Sequence, residues 1–191
     1  MKPVGNGFEV KKRSGFSELP PKGAYVAEIK KAEEVELKGN HYLEITLDIC
    51  EGEYKDRYTQ VWRDQEERFG NANFKGIFRL PVPTGEPNDW REQRMAENLW
   101  CVNQSNPGYE WDWDERKLKG KKVGINLRNR LYTYNGQERS TTEIGQFETI
   151  DDVRNGKCKS LKDRDQRERQ AETAGSNDYS NVSGDVDVPW A

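Results

Sequence analysis

A strict two-residue alternation constrains the fold of this chain more than any other feature of its sequence. Leu43, Ile45, Leu47 and Ile49 are apolar, and the residues between them are polar or amphipathic. Successive side chains of a β-strand point to opposite faces, so the pattern predicts a strand with one face in a core and the other in water. The backbone of such a strand needs hydrogen-bond partners, and the fold must therefore contain further strands.

Two more strands are predicted on either side of this one. Residues 23–37 alternate less strictly, and we expect a long first strand with a bend or bulge that turns at residues 38–40 into the second. After a turn at residues 51–53, residues 55–63 are predicted to form a third strand. These three strands would make an antiparallel meander, because the turns that join them are short.

A second group of strands is predicted nearer the end of the chain. Val123, Ile125 and Leu127 alternate with polar residues and mark a fourth strand. The pair Asn135-Gly136 is typical of a tight hairpin, so the chain should return as a fifth strand over residues 139–147.

The segment between the two groups is predicted to hold a helix. Residues 64–87 lack periodicity and are predicted to form a long connection. Asp89 can cap a helix that ends near Asn103. The apolar side of this helix is marked by Trp90, Met95, Leu99 and Val102. Three strands, a helix and a two-stranded hairpin are the order of an OB-fold, so the predicted fold is mainly β, an OB-fold-like five-stranded barrel with one connector helix. A β-sandwich and another small barrel are the alternatives.

Composition limits the chain to one modest domain. Of its 191 residues, 34% are charged and only 32% are hydrophobic. We therefore predict a flexible arm at residues 1–18, an OB domain at residues 19–160 and a disordered acidic tail at residues 161–191. No apolar run has the length of a membrane span and no secretory signal is visible, which favours the cytoplasm.

Catalytic and metal-binding chemistry is not suggested by the sequence. Cys50, Cys101 and Cys158 are far apart and His41 is the single histidine, so no set of metal ligands is visible. The chain has no P-loop and no GxSxG motif, and His41 lies in a predicted turn. We expect no metal, no cofactor and no enzymatic activity.

Binding chemistry is better represented. Residues 113–139 contain eight Lys or Arg and three Asp or Glu, a local excess of positive charge that suits a polyanion. If the apolar positions of the fourth strand face the core, Arg128, Arg130, Tyr132 and Tyr134 share its outer face. Cations for phosphates and rings for unstacked bases are what single-stranded nucleic acid requires. The predicted DNA-binding residues, including those of the third strand, are Arg57, Tyr58, Trp62, Arg63, Lys121, Lys122, Arg128, Arg130, Tyr132 and Tyr134. Further rings and a cation lie in the connection, at Phe69, Phe74, Phe78 and Arg79.

The last twenty residues combine acidity with an apolar tip. Residues 172–191 contain four acids and no Lys or Arg, so they are not expected to fold alone. A tip of this kind can dock into a pocket on another protein. The predicted partner-binding residues are Asp185, Asp187, Val188, Pro189 and Trp190.

Two runs of the sequence resemble a known protein family. LPPKGAYVAEI at residues 19–29 and YLEITLDICEGEYKDR at residues 42–57 look like a family of small bacteriophage proteins found among recombination and replication genes. That family is similar to single-stranded-DNA-binding proteins, and the resemblance, over about residues 19–147, implies an OB-fold. The tail separately resembles the acidic tip of bacterial single-strand-binding proteins, except that Trp190 replaces a terminal Phe and Ala191 follows it.

Together these patterns predict a non-enzymatic protein that binds single-stranded DNA, largely without sequence preference, in phage DNA replication or recombination. Its tail would recruit replication or recombination proteins, and self-association is left open. The alternative is an OB-fold interaction module that binds a recombinase or nuclease, with DNA contact incidental. A hydrolase or nuclease would need clustered acids or a metal.

Overall fold

A computed structural model of the chain describes residues 18–167. The strands are β1 (Gly23–Leu37), β2 (Asn40–Ile49), β3 (Ile77–Pro81), β4 (Lys122–Tyr134), β5 (Gln137–Glu148) and the short β6 (Arg164–Asp165). The helices are α1 (Arg57–Phe69), α2 (Trp90–Ser105) and α3 (Ile150–Arg154), and a 3₁₀ turn covers Glu115–Leu118. None of these helices is long and apolar enough to cross a membrane.

The sheet has the strand order of a partly open OB barrel. Its neighbours run β3-β2-β1-β4-β5, all antiparallel, with α2 between β3 and β4 in the chain. Within residues 18–167 no backbone ladder joins β3 to β5, so the barrel is not closed. The predicted mainly β fold with a connector helix is confirmed.

The alternating strand buries its apolar side chains as predicted, but the prediction that its other face lies in water is wrong, because Glu44, Thr46 and Asp48 are at most 7% exposed. The side chains of Leu43, Ile45, Leu47 and Ile49 are at most 3% exposed and lie in the core. The bend expected in the first strand is present as a bulge at Lys30, between the pairs Ile29–Leu47 and Lys31–Thr46.

The prediction of a third strand at residues 55–63 is wrong. These residues begin α1, in which Tyr58 and Val61 are buried one helical turn apart and Gly70 ends the helix with a left-handed φ of 64°. The third strand is β3, which lies inside the segment expected to be a connection. It has only five residues, of which Phe78 and Leu80 point into the core, so its alternation is too short to stand out.

An acidic side chain on β2 supplies the cap of α1. The residue before the helix, Asp56, has a left-handed φ of 56° and makes no side-chain capping bond. Instead the carboxylate of Asp48, which is 1% exposed, accepts from the backbone N–H groups of Tyr58 and Thr59 at 3.1 and 2.9 Å. It also accepts from the N–H of Ile49 at 2.8 Å. Asp48 therefore ties the first turn of α1 to the barrel.

The helix α2 occupies the open side of the barrel. Asp89 caps it as predicted, accepting from the N–H of Arg91 at 3.0 Å. Asn98 Oδ1 accepts from the N–H of Phe147 at 2.8 Å, and Arg94 Nη2 donates to the carbonyl of Gly145 at 3.3 Å. Side chains of α2 thus bind backbone groups on the edge of β5 that another strand would otherwise pair.

The apolar side of α2 differs from the prediction at one position. Met95, Leu99 and Val102 are buried, whereas Trp90 is 62% exposed. Trp90 is the first residue of α2. It precedes the residues of the helix that pack against the sheet, so its ring does not reach the core.

Candidate nucleic-acid interface

The hairpin formed by β4 and β5 extends past the barrel. β1 pairs with β4 only as far as Leu127, opposite Gly23, whereas β4 and β5 remain paired to their tight turn. The turn residues Asn135 and Gly136 have φ values of 50° and 72°, as the predicted hairpin requires. The outer face of this extension carries the cross-strand pairs Arg128–Glu143, Arg130–Thr141, Tyr132–Arg139 and Tyr134–Gln137.

Four of these side chains form a surface that we call the hairpin strip: Arg130, Tyr132, Tyr134 and Arg139. The guanidinium of Arg130 lies 5.4 Å from the centre of the Tyr132 ring, and that of Arg139 lies 5.7 Å from the centre of the Tyr134 ring. Tyr134 is 58% exposed. The strip therefore presents two phenol rings, each with a guanidinium group within cation–π distance.

One donor of the strip is unsatisfied. Nε of Arg130 is buried and finds no hydrogen-bond acceptor among the residues that the structure describes. Such a donor costs free energy until an acceptor reaches it. The guanidinium is positioned by the Tyr132 ring and the strand, with part of its hydrogen-bonding capacity unused.

Three arginines converge at the barrel end of the strip. Arg128 Nε lies 2.8 Å and Arg164 Nη1 3.6 Å from the same carboxylate oxygen of Glu143. Burial, together with the neighbouring charges of Arg128 and Arg164, lowers the pKa of Arg94 on α2. Glu143 therefore faces Arg128 and Arg164, while Glu97 partly offsets the charge of Arg94, so three guanidinium groups share two carboxylates.

The chain after α3 lies beside the strip and not in a separate tail. Residues 164–165, which the sequence analysis assigned to the tail, pair with Arg130 and Leu131 as β6. Asp163 anchors this segment by accepting from Lys22 at 2.7 Å and from Asn129 at 3.1 Å. The hydrogen bond from Lys22 is the main cause that lowers the pKa of Asp163.

The segment can approach the sheet because β5 has a glycine at its bulge. A Cβ at Gly145 would lie 2.5 Å from Cδ1 of Leu161. The bulge falls where Asn126 pairs with Gln146 and Leu127 with Ile144. The glycine lets the Leu161 side chain pack directly on β5, and a larger residue would require that side chain to shift.

The residues predicted on the third strand are not part of this surface. Arg57, Tyr58, Trp62 and Arg63 belong to α1, which packs against β2. Tyr58 is 2% exposed, and burial with the Asp48 charge raises its pKa, so its ring is not available for stacking. Trp62 donates to the carbonyl of Ala72 at 3.2 Å, Arg57 lies over the ring of Tyr54, and Arg63 is exposed.

Lys121 and Lys122 lie at the opposite end of β4 from the strip. Lys121 covers the ring of Tyr109 at 4.6 Å, and Lys122 is 3.7 Å from Glu51. Twelve residues of strand separate Lys122 from Tyr134, about 40 Å at 3.3 Å per residue. A short oligonucleotide on the strip would not reach these lysines.

Of the other predicted residues, some lie in the core, some lie on the surface, and some lie outside residues 18–167. Phe78 packs on Phe147 with ring centres 4.7 Å apart, Phe74 packs against Tyr58, and Arg79 is paired with Glu44 at 2.6 Å. Phe69 is 67% exposed. The predicted partner-binding residues Asp185, Asp187, Val188, Pro189 and Trp190 lie outside the described residues.

Two functional features were missed by the sequence analysis. Arg164 lies in a segment that was assigned to the charged tail. Its strand, β6, has two residues, which is too short to produce an alternating pattern. The second feature is an apolar groove beside α2, of about 370 Å³, which we call the Trp groove. Its apolar lining consists of Pro83, Met95, Leu99, Trp100, Trp111 and Trp113. The density of tryptophan in residues 100–113 was the available signal.

Metal-binding side chains are not clustered in the described residues. Within residues 18–167 no group of three or more His, Cys, Asp or Glu side chains is arranged to hold an ion. Cys50, Cys101 and Cys158 are free thiols.

No protein family model and no curated protein sequence matches the chain. Among solved structures, one described as yeast RPA bound to ssDNA is similar over 73% of this chain and 83% of that chain, at 12% identity and a TM-score of 0.28. A likeness this weak carries no argument, and the strand order remains the basis for the fold.

Proposed function

We propose that this chain binds single-stranded DNA without strong sequence preference and without catalysis. The observation that carries the proposal is the hairpin strip, where the guanidinium groups of Arg130 and Arg139 lie beside the rings of Tyr132 and Tyr134 on one face. Bases of any sequence have flat faces that stack on such rings, whereas a duplex keeps its bases paired and stacked inside. The Cα atoms of residues two apart on a strand are about 6.6 Å apart, which leaves room for a base beside each ring.

The arginine cluster at the barrel end of the strip supports the same proposal. A phosphate beside Arg128 and Arg164 would offer these cations oxygens in addition to those of Glu143. The guanidinium of Arg130 lies in the same row, beside the Tyr132 ring. A strand laid along the hairpin would place its backbone over the cations and its bases over Tyr132 and Tyr134.

The test is a titration of the full chain with fluorescently labelled oligo-dT at two salt concentrations. If Arg128, Arg130, Arg139 and Arg164 each neutralise one phosphate, the slope of log K against log salt should be about −3, or about a 50-fold loss of affinity from 50 to 200 mM. Absence of binding at micromolar protein would exclude the proposal. Adding magnesium should leave the oligonucleotide intact, and cleavage would contradict the non-catalytic part.

The biological setting is proposed from the sequence resemblance. Likeness to phage recombination and replication proteins supports a role in phage DNA replication or recombination. The acidic tip with Trp190 supports recruitment of partner proteins, and its charge also suits weak competition with DNA for the arginines.

Deleting residues 172–191 tests the competition. The deletion removes four acids, so oligo-dT affinity should rise severalfold at low salt and converge with that of the full chain at high salt. Replacing the four acids with Asn and Gln in the full chain is the matched control for charge and should reproduce the effect. Unchanged affinity in both variants would refute competition.

A further inference from the structure

The Trp groove is an apolar surface that contains no residue of the hairpin strip. Met95 and Leu99 of α2 form its floor, and Trp100 and Trp113 stand at its sides, 55% and 69% exposed. Exposed rings of this size around a groove mark a site for an apolar occupant.

The rim of the groove is acidic. Glu92 lines it, and Asp112 and Asp114 alternate with the tryptophans of its wall. Lys117 pairs with Asp112, and Arg116 lies 2.8 Å from Asp114. Of the described residues that line the groove, Glu92 alone is charged. Phosphates would be disfavoured here, and a basic segment with apolar side chains is complementary.

One segment of this chain has that chemistry. Residues 1–17, which lie outside the described part, contain four bases and one acid. Phe8 and Val10 are followed directly by Lys11, Lys12 and Arg13. The tail after residue 171 also has an apolar tip, but its charge is of the wrong sign for the rim.

The described chain begins close to the first turn of α2. The carbonyl of Pro20 accepts from Oγ1 of Thr142 on β5 at 2.9 Å. Further along β5, Arg94 donates to the carbonyl of Gly145, and Asn98 accepts from the N–H of Phe147. Both contacts advance in the same order along the two elements, so α2 runs beside β5 in the same direction. Extrapolating one helical turn back from Arg94 places Trp90 level with about residue 143 of β5. Residues 18–20 therefore lie beside β5 at the level of the first turn of α2.

Distances along the arm fit the groove. Glu92 and Trp100 are eight residues apart on α2, about 12 Å along the helix. Five residues separate Arg13 from Phe8, up to about 17 Å when extended. Basic residues at the Glu92 end would therefore leave Phe8 within reach of Trp100.

We propose that residues 8–13 dock in the Trp groove of their own chain, with Phe8 between the tryptophans and Lys11, Lys12 and Arg13 against the acidic rim. A tether of a few residues gives an effective concentration in the millimolar range, which favours the chain's own arm over that of a second copy. The docked arm covers the exposed rings and keeps its three cations away from the DNA-binding strip.

Photocrosslinking of the full chain tests the docking without DNA. Benzoylphenylalanine placed at position 8 should react with Met95 or with the walls of the groove, and peptide mass spectrometry locates the product. In a mixture of isotopically light and heavy protein, the cross-link should join peptides of the same label. Absence of a product in the groove, or products that join light to heavy chains, would overturn the proposal.

A charge variant tests the role of the rim. Glu92→Lys should lower the yield of the groove product at least threefold, whereas Glu36→Lys, on the distant β1–β2 hairpin, should leave it unchanged. Both glutamates are exposed, so neither change threatens the fold. Equal yields in the two variants would also overturn the proposal.

Discussion

Replacing Tyr132 and Tyr134 together with alanine should weaken oligo-dT binding by at least about 30-fold, because each stacked base contributes roughly 1–3 kcal/mol. The loss should persist at high salt, since stacking involves no counterion release. Both rings lie on the hairpin beyond the barrel, so the melting temperature of the variant should stay close to that of the parent. Fluorescence anisotropy with labelled oligo-dT measures the affinity.

The matched control is Phe69→Ala. Phe69 is the most exposed aromatic residue of α1, at 67%, and lies off the strip. Its replacement should change oligo-dT affinity by less than about twofold, within the range of surface substitutions. Equal losses in the two variants, or no loss in the tyrosine variant, would move the binding site away from the hairpin.

Replacing Asp48 with alanine should lower the free energy of unfolding by about 3–5 kcal/mol, because it leaves three backbone N–H groups without their acceptor and each unsatisfied buried donor costs about 1–3 kcal/mol. The N–H groups are those of Ile49, Tyr58 and Thr59. Urea unfolding followed by circular dichroism measures the change.

Two asparagine variants test whether stability depends on the capping contacts of Asp48 or on an acidic charge anywhere near the start of α1. Asp48→Asn keeps one acceptor oxygen and should lose less stability than Asp48→Ala. Asp56→Asn, at the residue preceding the same helix, should change stability by less than about 0.5 kcal/mol, because the Asp56 side chain makes no capping bond and asparagine tolerates its φ of 56°. A larger loss at Asp56 than at Asp48 would contradict the long-range cap.

The parts of the fold that sequence could predict are those whose signals are local. Leu43 to Ile49 alternate over three full periods, Asn135-Gly136 specifies a tight turn, and Asp89 precedes apolar residues at helical spacing. Each signal reports backbone geometry that the nearby residues themselves impose. The same alternation on β4 correctly put Arg128, Arg130, Tyr132 and Tyr134 on one face.

The predictions failed where contacts between residues far apart in the sequence determine the structure. Residues 57–63 contain Tyr, Val and Trp, which favour strands, yet the cap from Asp48 and the burial of Tyr58 fix a helix there. β3 is too short to be distinguished from a loop. The arginine cluster depends on the close approach of Leu161 to Gly145, which joins segments that no local pattern connects.

The contact between α2 and β5 has a dynamic consequence. In a closed barrel the last seam is a ladder of backbone bonds that must break together, whereas here it consists of individual side-chain bonds such as that from the Phe147 amide to Asn98. Such a seam can open locally while the five-stranded sheet remains intact, as a unit of lower stability than the whole domain. The apolar side chains of Met95, Leu99 and Val102 oppose this opening, because moving α2 off the barrel would expose them to water.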